Sequence, residues 1–265
     1  MDLQNAVLVA AHPDDEILWF SSIFGACKRV VVCYGASATA DESWDSGRAR
    51  LMDEYPIAKV EFLKVRQSGG FDSADWYRPE EAESGLRLHG RGATAYENNA
   101  EHLLQILGSE LAQESVVITH NPWGEYGHEE HVQVFRVLQR LQKRIGFGLF
   151  VDGYVSDRSA ALMTQSLNLL QGAPVVRETD RALALKLKNL YIEYDCWTFY
   201  NDFEWPEFEL FYRVGEPDGR YVEASVSVPL NVINRSFYVS PIRKAAKRLL
   251  PRSVVSLLKK ALRRS

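Results

Sequence analysis

The chain has 265 residues, 46% hydrophobic and 25% charged, which fits one large globular domain or a domain with an appendage. Its three cysteines, Cys27, Cys33 and Cys196, are too widely spaced for a disulfide framework or a CxxC metal site, and no run of eighteen apolar residues exists to span a membrane. The net charge of −4 hides an asymmetry: no acid follows Glu223, while Lys and Arg crowd the last thirty or so positions, so an acidic body precedes a basic end.

The start, Met1-Asp2-Leu3-Gln4-Asn5, is polar and does not read as a signal peptide, so a reducing, cytoplasmic setting is expected. Residues 6–11 form an apolar run suited to a buried parallel strand. Helical spacing follows over 14–27, with Pro13 placed where a first helical turn tolerates a missing N–H. Strands are predicted at 30–34 and 60–65, with a helix over about 45–56 between them. Residues 66–95 contain five glycines and read as a flexible insert, either a substrate rim or a surface excursion. A helix over 98–112, a strand over 115–119, a helix over 128–143 and a strand over 148–151 complete an alternating pattern. That alternation predicts βαβ units: an α/β, Rossmann-like three-layer sandwich with a mainly parallel sheet. Later segments are looser, with helices near 162–170 and 181–194 and a strand over 208–214. The stretch from Tyr191 to Tyr212 is rich in aromatics, more ordinary as core than as a carbohydrate platform.

Chemistry concentrates in two stretches. Ala10-Ala11-His12-Pro13-Asp14-Asp15-Glu16 ends the first strand, the place where an open α/β sheet puts its ligands. His12 and Asp15, three apart across the turn, are suitable zinc ligands. In Gly127-His128-Glu129-Glu130-His131 the two histidines are three apart and share a helix face. If the loops after the first and fourth strands meet, three protein ligands and one open position make a catalytic metal site. A metal there lowers the pKa of water from ~16 to around 7. Asp14 is then the free carboxylate, placed to take a proton. The remaining His of the pair, as an imidazolium, suits the developing oxyanion or the leaving amine.

These motifs resemble the PIG-L/LmbE-like zinc N-deacetylases over roughly residues 5–155. The resemblance implies removal of acetate from N-acetylglucosamine-type glycoconjugates. It makes His12, Asp15 and His131 the metal ligands, Asp14 the general base, and His128 the charged histidine supporting the tetrahedral intermediate. Tyr126 matches a mobile tyrosine that polarises the carbonyl in some members. Arg50 falls where the family tends to bind substrate, with Arg48 a rival because the register is loose. Glu129 and Glu130 replace the usual Pro-Asp of the second motif. Asn121, before Pro122, is either a hydroxyl-binding residue at the site edge or a turn residue. Zinc is the expected cofactor, though the His/His/Asp set also admits iron(II) or cobalt.

The chain is divided into a catalytic domain over 1–223 and a basic tail over 224–265. Within the tail, Val254, Val255, Leu257, Leu258, Ala261 and Leu262 fall on one side of a helical wheel, with Lys259, Lys260, Arg263 and Arg264 on the other. Residues 241–265 therefore suit peripheral contact with the inner face of a membrane, an appropriate place for a lipid-linked amino sugar. A helix docked on the body or an oligomer contact is the alternative. No nucleic-acid partner is expected. The rival functions are a related amidohydrolase acting on another acyl amide and a non-catalytic sugar-binding protein.

Overall fold

The computed structural model describes residues 1–37, 42–90, 92–215 and 228–237, and for Glu42 and Ser43 only their place in a helix. The membrane contact expected from 241–265 lies outside these residues. The first strand, β1 (Ala6–Ala10), is buried along its whole length. A strand points alternate side chains to opposite faces. Leu8 and Ala10 accordingly enter one core cluster, with Ile17 and Tyr191, while Val7 and Val9 enter another, with Leu103 and Phe135. Two cores on the two faces of one sheet make three layers.

After β1 come two short helices, α1 (Asp15–Leu18) and α2 (Ser21–Phe24), then β2 (Arg29–Tyr34), α3 (Glu42–Asp53) and β3 (Val60–Val65). A small hairpin of β4 (Glu81–Ala82) and β5 (Gly85–Leu86) precedes α4 (Ala93–Glu110), β6 (Val116–Thr119), α5 (Glu129–Ile145) and β7 (Gly148–Asp152). The remainder is β8 (Tyr154–Val155), α6 (Ala160–Ser166), β9 (Leu170–Glu178), α7 (Arg181–Glu193), β10 (Phe208–Val214) and β11 (Asn231–Val232). The main sheet has seven strands in the order β3-β2-β1-β6-β7-β10-β9. Pairs from β3 to β7 are parallel, and β10 is antiparallel to both β7 and β9. This is the α/β three-layer architecture that the alternation predicts.

From β1 the strand order runs to β2 and β3 on one side and to β6 and β7 on the other. Such a reversal opens a crevice beyond the carboxyl ends of the two central strands. Val9 pairs with Thr119, so the turns that follow β1 and β6 leave the sheet side by side.

Several elements differ from expectation. The helix read over 14–27 is two helices, because Glu209 of β10 accepts from Ser21 Oγ, Ser22 N and Ser22 Oγ and starts α2 afresh. The helix expected over 98–112 begins earlier, at Ala93. The helix expected over 162–170 ends at Ser166, and β9 follows. Gly172 and Pro174 obscure β9 in the sequence; proline is tolerated there because the strand is at the sheet edge. Residues 228–237, assigned above to the tail, pack on the body: β11 pairs with β8, and the Phe237 ring lies tilted against Tyr126. Among the described residues no helix is long and apolar enough to cross a membrane.

Candidate metal centre

The turn after β1 carries His12, Asp14 and Asp15, and α5 opens on His131. His12 Nδ1, Asp15 Oδ2 and His131 Nε2 form a triangle with every side 3.2 Å. All three residues are buried. In a tetrahedral site with bonds of about 2.0 Å, ligand atoms stand about 3.3 Å apart.

The far side of each ligand is held. His12 Nε2 is 2.8 Å from Glu130 Oε2, and His131 Nδ1 contacts Glu125 Oε2. Asp15 Oδ1 accepts from Trp19 Nε1 at 3.0 Å, and its Oδ2 accepts from His12 N at 2.7 Å. A ring nitrogen that donates outward to a carboxylate turns the lone pair of the other nitrogen inward. Two imidazole nitrogens and a carboxylate oxygen then face one point, an arrangement that a shared proton or a cation must hold together. A divalent metal therefore fits this donor set. The electrostatics agree. Burial alone would raise Asp15, but His131, His12 and His120 hold it well below the usual carboxylate range. Burial opposes charge on His12, yet Asp15 and Glu130 raise it, as expected where a proton and a metal compete for one lone pair.

Asp14 stands beside this triangle and is not part of it. It adopts φ 100°, and its N–H donates to Glu16 Oε2 and Tyr191 OH, both at 2.9 Å. Thr198 Oγ1 donates to Asp14 Oδ2 at 2.8 Å. Burial and the adjacent Asp15 push Asp14 up to about 7, against the pull of Arg48 and Thr198.

His128 lies next to the triangle, its ring stacked at 4.6 Å on His131. Its Nδ1 accepts the N–H of Glu130 at 3.2 Å, capping α5. Burial, His12 and His131 hold it well below its ordinary pKa. The imidazolium expected here is thus corrected: accepting at Nδ1 leaves a neutral ring with its proton on Nε2. Tyr126 stands between Trp19, Phe199 and Phe237, with its ring 5.6 Å from that of His131.

Of the two rival arginines, only Arg48 is brought to the site. It is buried, donates to Gly35 O at 3.1 Å and Pro13 O at 3.4 Å, and lies over Trp44. Arg50 is exposed and lies over the ring of Tyr194. Of the two readings of Asn121, the contacts match the turn residue. Its Nδ2 donates to Asp152 Oδ1 and Tyr154 O, and its Oδ1 accepts from Trp123 N and Glu125 N, so the fully buried side chain is consumed by the turn.

Several residues carry no signal in the sequence. Glu125 joins His131 to His120, whose Nε2 accepts from Ala11 N at 2.8 Å and so ties β6 to the end of β1. Glu129 accepts from Asp72 N, Ser73 N, Ala74 N and Trp76 Nε1. Glu130 accepts from Ser68 N and Oγ. The two glutamates between the histidines therefore clamp the long insert onto the site. The flexible loop expected there is anchored, and it presents Phe71 at 4.8 Å from the His128 ring.

The fold is shared with known structures. The zinc-inhibited form of teicoplanin deacetylase Orf2 superposes with a TM-score of 0.52 at 12% identity, over 81% of this chain and 99% of that one. A deacetylase–bog complex from teicoplanin biosynthesis gives 0.52 at 11% identity, over 81% and 99%. Likeness at this identity establishes the architecture alone. No protein-family model matches the chain, and no curated protein does.

Proposed function

We propose that this protein is a metal-dependent hydrolase that removes the acetyl group from an N-acetylated amino sugar and releases acetate. The observation that carries the reading is the 3.2 Å triangle of His12, Asp15 and His131, with a separate carboxylate, Asp14, beside it. The amino-sugar substrate is supported by the motif resemblance, and deacetylation also by the deacetylases that share the architecture.

His12, Asp15 and His131 would hold the cation, zinc in the first instance. When bound, it supplies Lewis-acid polarisation and lowers the pKa of water. Asp14 takes the proton of the attacking water and returns it to the departing amine nitrogen as the C–N bond breaks, since its side chain is aimed by Thr198 and its environment places it near neutrality. His128 donates Nε2–H to the oxygen that gains charge, as a neutral donor. Tyr126 keeps its phenol protonated, because burial and the carboxylates of Asp15 and Asp14 raise it, and the aromatic wall around it excludes water. Arg48 braces the Pro13 carbonyl and so the turn that carries Asp14.

Chelation followed by dialysis is expected to abolish acetate release from N-acetylglucosaminides, and zinc, iron(II) or cobalt to restore it. Full turnover in a verified metal-free protein would overturn the reading. A second expectation concerns Thr198. Thr198→Val removes a hydrogen bond to a charged group, worth about tenfold in rate. The rate constant kcat should fall by that factor with KM and metal content unchanged, and Thr198→Ser should recover it. A change in KM alone would mean that Thr198 touches substrate instead.

A further inference from the structure

The last described residues pack against the aromatic wall beside His131, which we take as the rim of the crevice beyond β1 and β6. Phe237 packs 5.3 Å from the ring of Tyr126 and 5.8 Å from that of Tyr200. It is tied down by its own N–H and by Ser236 Oγ, both donating to Asp157. Arg235 lies over the ring of Tyr200 and pairs with Asp202. Beyond Phe237 the sequence runs on without a single acid and with nine Lys or Arg. Its apolar residues recur at helical spacing over 254–262. The basic end of the chain therefore starts from the rim of the cleft.

Beside these contacts, and on the strand that leads to Phe237, apolar side chains face solvent. Val232 is 73% exposed, Phe71 51% and Tyr200 36%. Val232 sits on β11, which pairs with β8 just past the carboxyl end of β7. Aromatic and aliphatic side chains beside a basic segment are what the headgroup region of an anionic bilayer accepts.

We infer that the rim of the cleft is a membrane-facing surface, held against anionic lipid by the basic end of the chain so that the cleft opens toward the bilayer. The occupant follows from charge complementarity and from where the described chain ends. Such docking would let the site take a headgroup presented at the membrane surface. The inference is independent of turnover, so failure of the vesicle experiment and failure of the hydrolysis assay mean different things.

The test uses the full chain. All three native cysteines are buried, so a surface label can be placed alone. Val232→Cys at the rim and Asn5→Cys, just ahead of β1 at the opposite edge of the sheet, are each labelled with an environment-sensitive fluorophore. Vesicles of phosphatidylcholine containing about one-third phosphatidylserine should sediment the protein and blue-shift the Val232 label. Pure phosphatidylcholine should do neither, and the Asn5 label should stay unshifted in both. Each basic residue near an anionic surface contributes about fivefold to binding. Reversing Lys259, Lys260, Arg263 and Arg264 to Glu should thus lower partitioning by more than about a hundredfold, with hydrolysis of a soluble substrate unchanged. Protein left in the supernatant, as when the tail lies on the acidic body, overturns the inference. So does an equal shift of both labels, or binding that survives the charge reversal.

Discussion

Asp14→Asn is expected to lower kcat by about 10²–10⁴-fold while the protein still binds stoichiometric metal. Asn is the informative substitution. Position 14 has φ 100°, in the left-handed region, where Asn is tolerated and Ala is strained. The amide keeps an oxygen for Thr198 and the size of the side chain, but it has no basicity. The wild-type rate should fall as pH drops through about 7, because only the carboxylate accepts a proton and burial beside Asp15 raises its pKa. A bound cation would move that limb lower. The variant should lose the limb altogether. Metal analysis alongside kinetics separates the roles: if Asp14→Asn lost its metal, Asp14 and not Asp15 would be the ligand.

Glu125→Ala should produce the second large effect. Glu125 is fully buried and bridges His131 Nδ1 and His120 Nδ1, and it also accepts from Asn121 N. Burial alone would raise its carboxyl, but His120 and His131 hold it well below the usual range. Removing it frees His131 to rotate or change tautomer, which should weaken zinc affinity about 10–100-fold. It also strands two buried histidines, at a cost of about 3 kcal/mol or more. A fall in the urea midpoint with unchanged slope would read the second effect. Glu125→Gln keeps the volume and an acceptor, so it should recover much of the stability while metal binding stays weakened. Unaltered zinc affinity in both variants would show that His131 is aligned by something else.

Both predictions turn on groups of different legibility. Asp14 was visible in the sequence because it lies in a compact string, strand then His-Pro-Asp-Asp, whose roles follow from neighbours three residues away. Glu125 was not, because nothing in Trp123-Gly124-Glu125 marks a carboxylate that folds back six residues later onto His131. Thr198 is further still, 184 residues from its partner. The pair Arg48 and Arg50 shows a third kind of limit. Two residues on a helix differ by about 200°, so only one can face inward. The sequence narrows the choice to these two, and the packing of α3 under Pro13 and Gly35 selects Arg48. For the same reason the residues alone leave Asn121 open between turn and site edge: its side chain turns to Asp152 and the Tyr154 carbonyl, partners 31 and 33 residues further along the chain.

Sequence by itself determined the layered fold and marked the two stretches, one ending β1 and one opening α5, that the fold brings together. Each rests on short-range order: apolar runs with strand or helix periodicity, and side chains three apart sharing one face. Only the tertiary structure decided that β1 and β6 are neighbours, that Glu125 and Glu130 aim the two histidines, and that His128 is a neutral cap. It also decided that the early part of the long insert, Ser68 to Ala74, is clamped by Glu129 and Glu130. These are contacts between segments far apart in the chain. They depend on strand register and on which way a buried carboxylate turns, and neither leaves a periodic mark on the residues that make them.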